Sequence, residues 1–182
     1  MSRLDPLLLE RARAFIAGQV RPPGPESDTA ATDDDASRAV EIAAALCRRF
    51  EGFVAHPYLC PAGVPTIGVG ATHYLDGRRV SMKDQPISRE TADRLLIRMI
   101  ERTYMPQVMA LCPGADTPGR LAALTDFAFN CGVGALKAST LRRKVNAGEW
   151  DDVPGELMKW VNGGGRRLPG LVLRRQAESA LI

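Results

Sequence analysis

The sequence predicts an α+β protein with two unequal lobes, in which a small sheet lies between one helix and a larger group of helices. Apolar residues recur at helical spacing before residue 50 and after residue 88. Between residues 53 and 80, β-branched and aromatic residues instead alternate with glycines and prolines. A cleft between two such lobes is the usual position of a functional site.

The composition is that of a globular protein, with 45% hydrophobic and 25% charged residues. The net charge is only +3, but residues 137–175 carry nine basic and four acidic side chains. Such a basic region favours a polyanionic partner, which could be nucleic acid, an anionic membrane or an acidic cell-wall polymer. A solvated helix surface explains the same charges equally well.

The first 37 residues are expected to form an arm and a linker, and residues 38–182 a folded domain. Residues 4–20 have the spacing of a short amphipathic helix, whereas residues 21–37 are rich in Pro, Gly, Asp, Ser and Thr. Charged residues interrupt the apolar positions after Met1, and no run approaches the ~18 apolar residues of a membrane span. The sequence therefore predicts synthesis in the cytoplasm without a signal peptide.

The first helix of the domain is expected to start at a cap formed by Asp35 or Ser37 and to stop at Gly52. The following segment predicts two or three short strands, with Asp76 and Gly77 in a hairpin turn.

Ser88 is expected to cap a helix that Pro106 kinks or splits, and Thr117 with Pro118 to open a central apolar helix. Four elements should follow: a helix over 135–146, a short helix within 149–160, a flexible glycine turn at 163–165 and a final helix after Pro169.

The cysteines and histidines do not indicate a metal site. Four widely spaced cysteines and two histidines include no C-x-x-C pair, so neither zinc nor any other cofactor is predicted. Cys47 and Cys131 fall in apolar helical patterns, which favours buried free thiols over disulfides.

Glu51 is the first candidate for chemistry. It lies at the C-terminal end of a predicted helix, where the helix dipole and the neighbouring Phe50 and Phe53 favour the protonated carboxyl. A general acid needs that form. Arg48, one turn earlier, favours the ionised form, so the sequence leaves the balance open.

Glu51, Cys60 and Thr66 form an E-x8-C-x5-T arrangement within EGFVAHPYLCPAGVPTIGVG. Here the sequence resembles the phage-type lysozymes of glycoside hydrolase family 24, which carry Glu, then Asp or Cys, then Thr at this spacing. The Gly-x-x-Thr-Ile-Gly-x-Gly run that ends at Gly70 agrees with the family's pattern. Segments 127–148 and 160–178 look like its later motifs, so the resemblance covers about 39–182.

The resemblance implies a lysozyme-like two-lobed fold with Glu51 as proton donor to a glycosidic oxygen and Cys60 and Thr66 beside the attacking water. It implies substrate-binding roles for Gly70, Phe129, Asn130, Ser139 and Thr140, and it suggests Arg174 or Arg175 as a partner for Glu51. The substrate would be peptidoglycan, cut at the β-1,4 bond between N-acetylmuramic acid and N-acetylglucosamine.

Cys60 stands where glycosidases usually have a second carboxylate. An ordinary thiol with a pKa of ~8.5 is only a few per cent ionised at neutral pH, and an ionised Glu51 would suppress the thiolate further. We therefore expect Cys60 to contribute weakly and Glu51 to dominate.

Taken together, these features predict a monomeric endolysin that needs no cofactor. The protein would reach the cell wall after a separate protein permeabilises the membrane. Its basic C-terminal region would contact an anionic wall or outer membrane. The main alternative is a catalytically silent peptidoglycan-binding module, which would leave cell-wall turbidity unchanged. A nucleic-acid partner is not expected, because no binding motif is present and few aromatic residues accompany the basic ones.

Overall fold

The computed structural model describes residues 33–60 and 62–182. The predicted arm and most of the linker lie outside these residues. The first helix, α1, spans Asp33–Phe50, so helix is already present at Asp33, ahead of the predicted caps at Asp35 and Ser37. The helix ends at Phe50, which agrees with the predicted stop at Gly52.

The small lobe is built on an antiparallel pair of strands, β1 (Val54–Leu59) and β2 (Pro65–Gly68). The predicted turn at Asp76 and Gly77 is present, although a single bridge between His73 and Arg79 closes it instead of a pair of strands. This lobe has its own small core, formed by Ile67, Ala71, Val80 and Leu95.

A long helical segment leaves the small lobe as α2 (Arg89–Met99), widens into a π-helix over Ile100–Tyr104 and continues as α3 (Met105–Leu111). Ser88 caps α2 by accepting a hydrogen bond from the backbone N–H of Thr91, as predicted. The irregularity precedes Pro106, whose ring removes a helix N–H and crowds the preceding turn. The predicted interruption of this helix near Pro106 therefore takes the form of a π segment.

The central helix, α4 (Pro118–Cys131), runs through the main core. Thr117 caps it through the N–H of Arg120, as the sequence predicts. Eight consecutive residues, 121–128, are buried, and they include the charged Asp126. Helix α1 packs along α4, so the end of α1 is held against the main core.

The remaining elements complete the helical lobe. In order they are α5 (Val133–Ala138), α6 (Thr140–Asn146), a 3₁₀ turn (Trp150–Asp152), α7 (Val153–Leu157), β3 (Asn162–Gly163), β4 (Arg166–Arg167) and α8 (Pro169–Ser179).

Two expectations for this region were wrong in detail, and a third, the glycine turn, is present. The single helix over 135–146 is two helices, because Ser139 adopts extended backbone and caps α6. The short helix within 149–160 is a 3₁₀ turn followed by α7. The glycine turn is the tip of the β3–β4 hairpin, where Gly164 and Gly165 have φ of 57° and 75°, values that favour glycine.

Candidate active site

Glu51 is fixed by the end of α1. Its backbone N–H donates to the carbonyl oxygen of Cys47 at 2.8 Å, which carries the helical bonding pattern one residue past the helix. The side chain remains 32% exposed, so its carboxyl is anchored at one end and accessible at the other.

Arg174, from α8, holds the Glu51 carboxyl. Its Nη1 lies 2.5 Å from Oε1 of Glu51, and its Nε and Nη2 each donate to Asp126 at 2.8 Å. Of the two arginines suggested from the sequence, Arg174 is thus the partner. Arg48 instead donates to both carboxylate oxygens of Asp93, so Asp93 and not Glu51 is its hydrogen-bonded partner.

Cys60 and Thr66 lie at facing ends of β1 and β2. Thr66 is buried and donates from its hydroxyl to the carbonyl oxygen of Val64 at 2.9 Å. The N–H groups of Val64 and Ala62 lower the pKa of the Cys60 thiol, and the Thr66 hydroxyl adds to the effect. The expectation of an ordinary thiol suppressed by Glu51 is therefore wrong, because backbone donors stabilise the thiolate.

Tyr58 lies on β1 and is influenced electrostatically by both Glu51 and Cys60. It pairs with Thr66 across the sheet. Burial is the main reason that the pKa of Tyr58 is raised, and the negative charges of Glu51 and Cys60 raise it further. Both groups therefore lie within electrostatic range of this one side chain.

Gly70 and Phe129 face each other where the two lobes meet. Gly70 has φ of 83°, and a Cβ at this position would lie 3.9 Å from Cζ of Phe129. The ring of Phe129 also contacts that of Tyr104 in the π segment, with 4.9 Å between centroids. Asn130 follows Phe129 and accepts a weak hydrogen bond from Cys131. The structure thus brings Gly70 and Phe129 together, whereas the substrate-binding role of Asn130 stays a prediction.

Ser139 and Thr140 have their hydroxyls engaged within the helical lobe. Ser139 is buried, donates to the carbonyl oxygen of Leu136 at 2.7 Å and accepts from the N–H of Arg142 at 3.0 Å. Thr140 donates to the carboxylate of Glu156, which also binds Lys159. A cap and a carboxylate contact account for these two side chains without a ligand, so their substrate-binding roles stay predictions.

A cavity of about 410 Å³ reaches Glu51 from the N-terminal end of α2. Of the predicted catalytic residues, only Glu51 borders it; Cys60 and Thr66 do not. The residues that line it are Arg48, Glu51, Phe53, Val69, Arg89, Glu90, Ala92 and Asp93.

Asp126 and Tyr104 are site residues that the sequence analysis missed. The available signal for Asp126 was one carboxylate inside an otherwise apolar helix, since buried charges are rare unless paired. The signal for Tyr104 was its position two residues before the disruptive Pro106. Burial is the main reason that the pKa of Tyr104 is raised, with Cys47 and Glu51 adding to it.

Within residues 33–60 and 62–182, no group of three or more His, Cys, Asp and Glu side chains is arranged to hold a metal ion. None of the helices in this part of the chain combines the length and hydrophobicity needed to span a membrane.

The helical lobe, the small antiparallel sheet and the partly exposed Glu51 carboxyl at the end of α1 belong to a lysozyme-like glycoside hydrolase, as the comparisons with known proteins show. A model of the phage lysozyme family matches residues 48–178. The chain belongs to this family, and the predicted lysozyme-like α+β fold is confirmed.

Individual relatives agree with this assignment. An endolysin from Acyrthosiphon pisum secondary endosymbiont phage 1 is 37% identical over 145 residues, covering 75% of this chain and 92% of the relative. The muramidase domain of SpmX from Asticaccaulis excentricus has a TM-score of 0.64 at 28% identity, covering 76% of this chain and 92% of that one. A P22 lysozyme variant matches the fold with a TM-score of 0.67 at 24% identity, covering 85% of this chain and 98% of that one.

Proposed function

We propose that this chain is an endolysin of the muramidase type, which hydrolyses the β-1,4 bond between N-acetylmuramic acid and N-acetylglucosamine in peptidoglycan. The observation that carries the proposal is the Glu51 carboxyl, partly exposed and held by Arg174 beside the strands that bear Cys60 and Thr66. Membership of the phage lysozyme family and similarity to an endolysin and to a muramidase domain support the same activity.

In the proposed reaction Glu51 donates its proton to the glycosidic oxygen as the bond from the sugar carbon to that oxygen breaks. The sugar carbon develops oxocarbenium character. The Cys60 sulfur, whose pKa is lowered by backbone donors, supplies negative charge near this centre. Water positioned by Cys60 and Thr66 adds to the carbon and passes its proton to the Cys60 thiolate. Exchange with solvent then returns a proton to Glu51 and removes one from Cys60, which completes hydrolysis.

Analysis of the products tests the activity directly. Purified peptidoglycan treated with the protein is expected to yield fragments that end in reducing muramic acid, identified by mass spectrometry. Anhydro ends would indicate a lytic transglycosylase, and intact glycan with cut peptides would indicate neither. Unchanged walls with bound protein would identify the catalytically silent binding module.

The reactivity of Cys60 is expected to be selective. Because its pKa is lowered while burial raises those of Cys47 and Cys112, iodoacetamide should alkylate Cys60 first, with a rate that rises through a midpoint below that of an ordinary thiol. Peptide mapping of alkylation against pH measures this. Cys60→Ser should remove the fast phase and retain a measurable fraction of lysis; a midpoint at or above the ordinary range would contradict the assignment.

The proposed partner surface is basic. Lys137, Arg143, Arg166 and Arg167 are exposed, whereas Lys144 is already paired with Glu149 and Asp152. The exposed group could attract an anionic wall polymer or outer-membrane surface. We further propose that residues 38–182 form the catalytic unit, that it acts as a monomer, and that it reaches the cell wall after another protein permeabilises the membrane.

A further inference from the structure

Four charged side chains lie buried beneath Glu51, contributed by α4 and α8. We call them the buried cluster: Asp126, Arg174, Arg175 and Glu178, whose exposed fractions are 0%, 2%, 0% and 0%. Charges removed from water to this degree persist only when each is paired and hydrogen-bonded. The partners of the four groups therefore decide which of them are ionised.

Asp126 has the environment of an ionised carboxylate. Arg174 donates to both of its oxygens at 2.8 Å, and the thiol of Cys47 donates to Oδ1 at 3.2 Å. Three donor atoms converge on this carboxyl, so Asp126 acts as a hydrogen-bond acceptor within the cluster.

Glu178 has a different environment. Its Oε1 accepts from Arg175, but among the hydrogen bonds of the described residues its buried Oε2 has no donor. The Asp126 carboxyl is close enough to raise the pKa of Glu178, through its negative charge and through hydrogen bonding between the two carboxyls. Two ionised carboxylates have no proton to share, so one of the pair must be protonated for this contact to be favourable.

We propose that Glu178 is held as a neutral carboxylic acid whose hydroxyl donates to Asp126, and that Asp126 is in turn a positioning residue for Glu51 through Arg174. The role of Glu51 rests on the proposed function, whereas the protonation of Glu178 does not. Burial is the main reason that the pKa of Glu178 is raised, and the neighbouring Asp126 acts in the same direction.

The surroundings of Arg175 fit a neutral Glu178. The Arg175 guanidinium lies 5.0 Å from the ring centroid of Phe127, and its Nη1 lies 3.1 Å from the sulfur of Cys131. An aromatic face and a polarisable sulfur are favourable neighbours of a cation, and an oxygen of the neutral Glu178 still accepts from Arg175.

The consequence for Glu51 is electrostatic as well as geometric. An unshared guanidinium charge at 2.5 Å would favour an ionised Glu51, which cannot act as a general acid. Asp126 offsets that charge and fixes the guanidinium plane through two donors, leaving Nη1 for Glu51. The neutral Glu178 keeps Asp126 ionised without adding another negative charge.

Infrared spectroscopy tests the protonation of Glu178 independently of activity. Spectra are recorded at neutral pH in the Glu51→Gln background, so that Glu51 makes no contribution. A C=O band of a protonated carboxyl is expected, and Glu178→Gln should remove it. If the band is absent, or persists in the variant, the proposed neutral Glu178 is wrong.

The stability of Glu178→Gln provides a second readout. Glutamine keeps an N–H donor for Asp126 and an oxygen for Arg175, so the Tm at neutral pH should stay close to that of the unsubstituted protein. The pKa of Glu178 is higher in the folded protein than in the unfolded chain, where it is ~4.3. The protonated side chain therefore contributes its full stability below pH ~4.3, and this contribution is lost as the pH rises toward the folded-state pKa. The variant should therefore gain relative stability between pH 4 and 7; a Tm loss on the order of 10 °C at neutral pH would instead indicate an ionised Glu178.

Asp126→Asn tests the link to Glu51. Loss of the counter-charge should favour ionised Glu51 and move the alkaline half-point of the lysis rate to lower pH, by on the order of one unit, whereas Glu178→Gln should keep the original half-point. An unchanged half-point in Asp126→Asn would overturn the positioning role.

If Glu51→Gln lysed walls normally, the proposed function would fail while the infrared result would still stand. Among the described residues, Cys47, Tyr58, Tyr104, Arg174 and Glu178 interact electrostatically with Glu51 or Asp126. The charged residues Arg48, Arg89, Glu90 and Asp93 line the cavity that reaches Glu51.

Discussion

Replacing Glu51 with glutamine is expected to reduce cell-wall lysis by roughly 10²- to 10⁴-fold, the contribution typical of a general acid. The amide oxygen can still accept from Arg174, so the local hydrogen bonding is preserved. The amide cannot deliver a proton to the glycosidic oxygen. The rate of turbidity loss of purified walls measures the effect, together with the Tm of the variant.

A matched control for this substitution is Glu41→Gln. Glu41 lies on α1, the helix that ends directly before Glu51, and is exposed. It should lyse walls at the original rate, which separates the loss of a particular acid from the loss of one negative charge on α1. Near-normal lysis by Glu51→Gln would remove Glu51 from the proposed role.

The fold was predictable because its local signals agree with one another. Ser88 and the Thr117–Pro118 pair mark helix starts through side-chain caps and a fixed proline φ, which depend only on neighbouring residues. Ser139 was misread because its hydroxyl binds the chain on both sides, to Leu136 and to Arg142. Such a cap inside an apolar pattern divides a helix that periodicity alone would continue.

The site was only partly predictable because its key contacts join distant parts of the chain. The motif identifies Glu51, Cys60 and Thr66, which lie within sixteen residues of each other. Asp126 and Arg174 are 48 residues apart, and Arg174 is 123 residues from Glu51. Only the packing of α1 and α8 against α4 brings them together. The lowered pKa of Cys60 depends on where backbone N–H groups point, which residue types do not specify.

The second large effect is on stability. Arg174→Met is expected to lower the free energy of unfolding by about 3–5 kcal/mol, because it leaves the carboxylate of Asp126 buried without its cation. Denaturant titration followed by circular dichroism measures the change. The same substitution at Arg48 is the control, since its pair with Asp93 is 41% and 38% exposed and should be worth about 0–1 kcal/mol.

A double variant separates the buried charge from the arginine itself. In Arg174→Met with Asp126→Asn, no unpaired carboxylate remains at position 126, and the amide oxygen can still accept from Cys47. A large part of the lost stability should return, because the main cost of the single change is an uncompensated buried charge. Lysis should stay low, since Glu51 would still lack the donor that orients it. If the double variant were as unstable as the single one, packing of the Arg174 side chain would account for the loss instead.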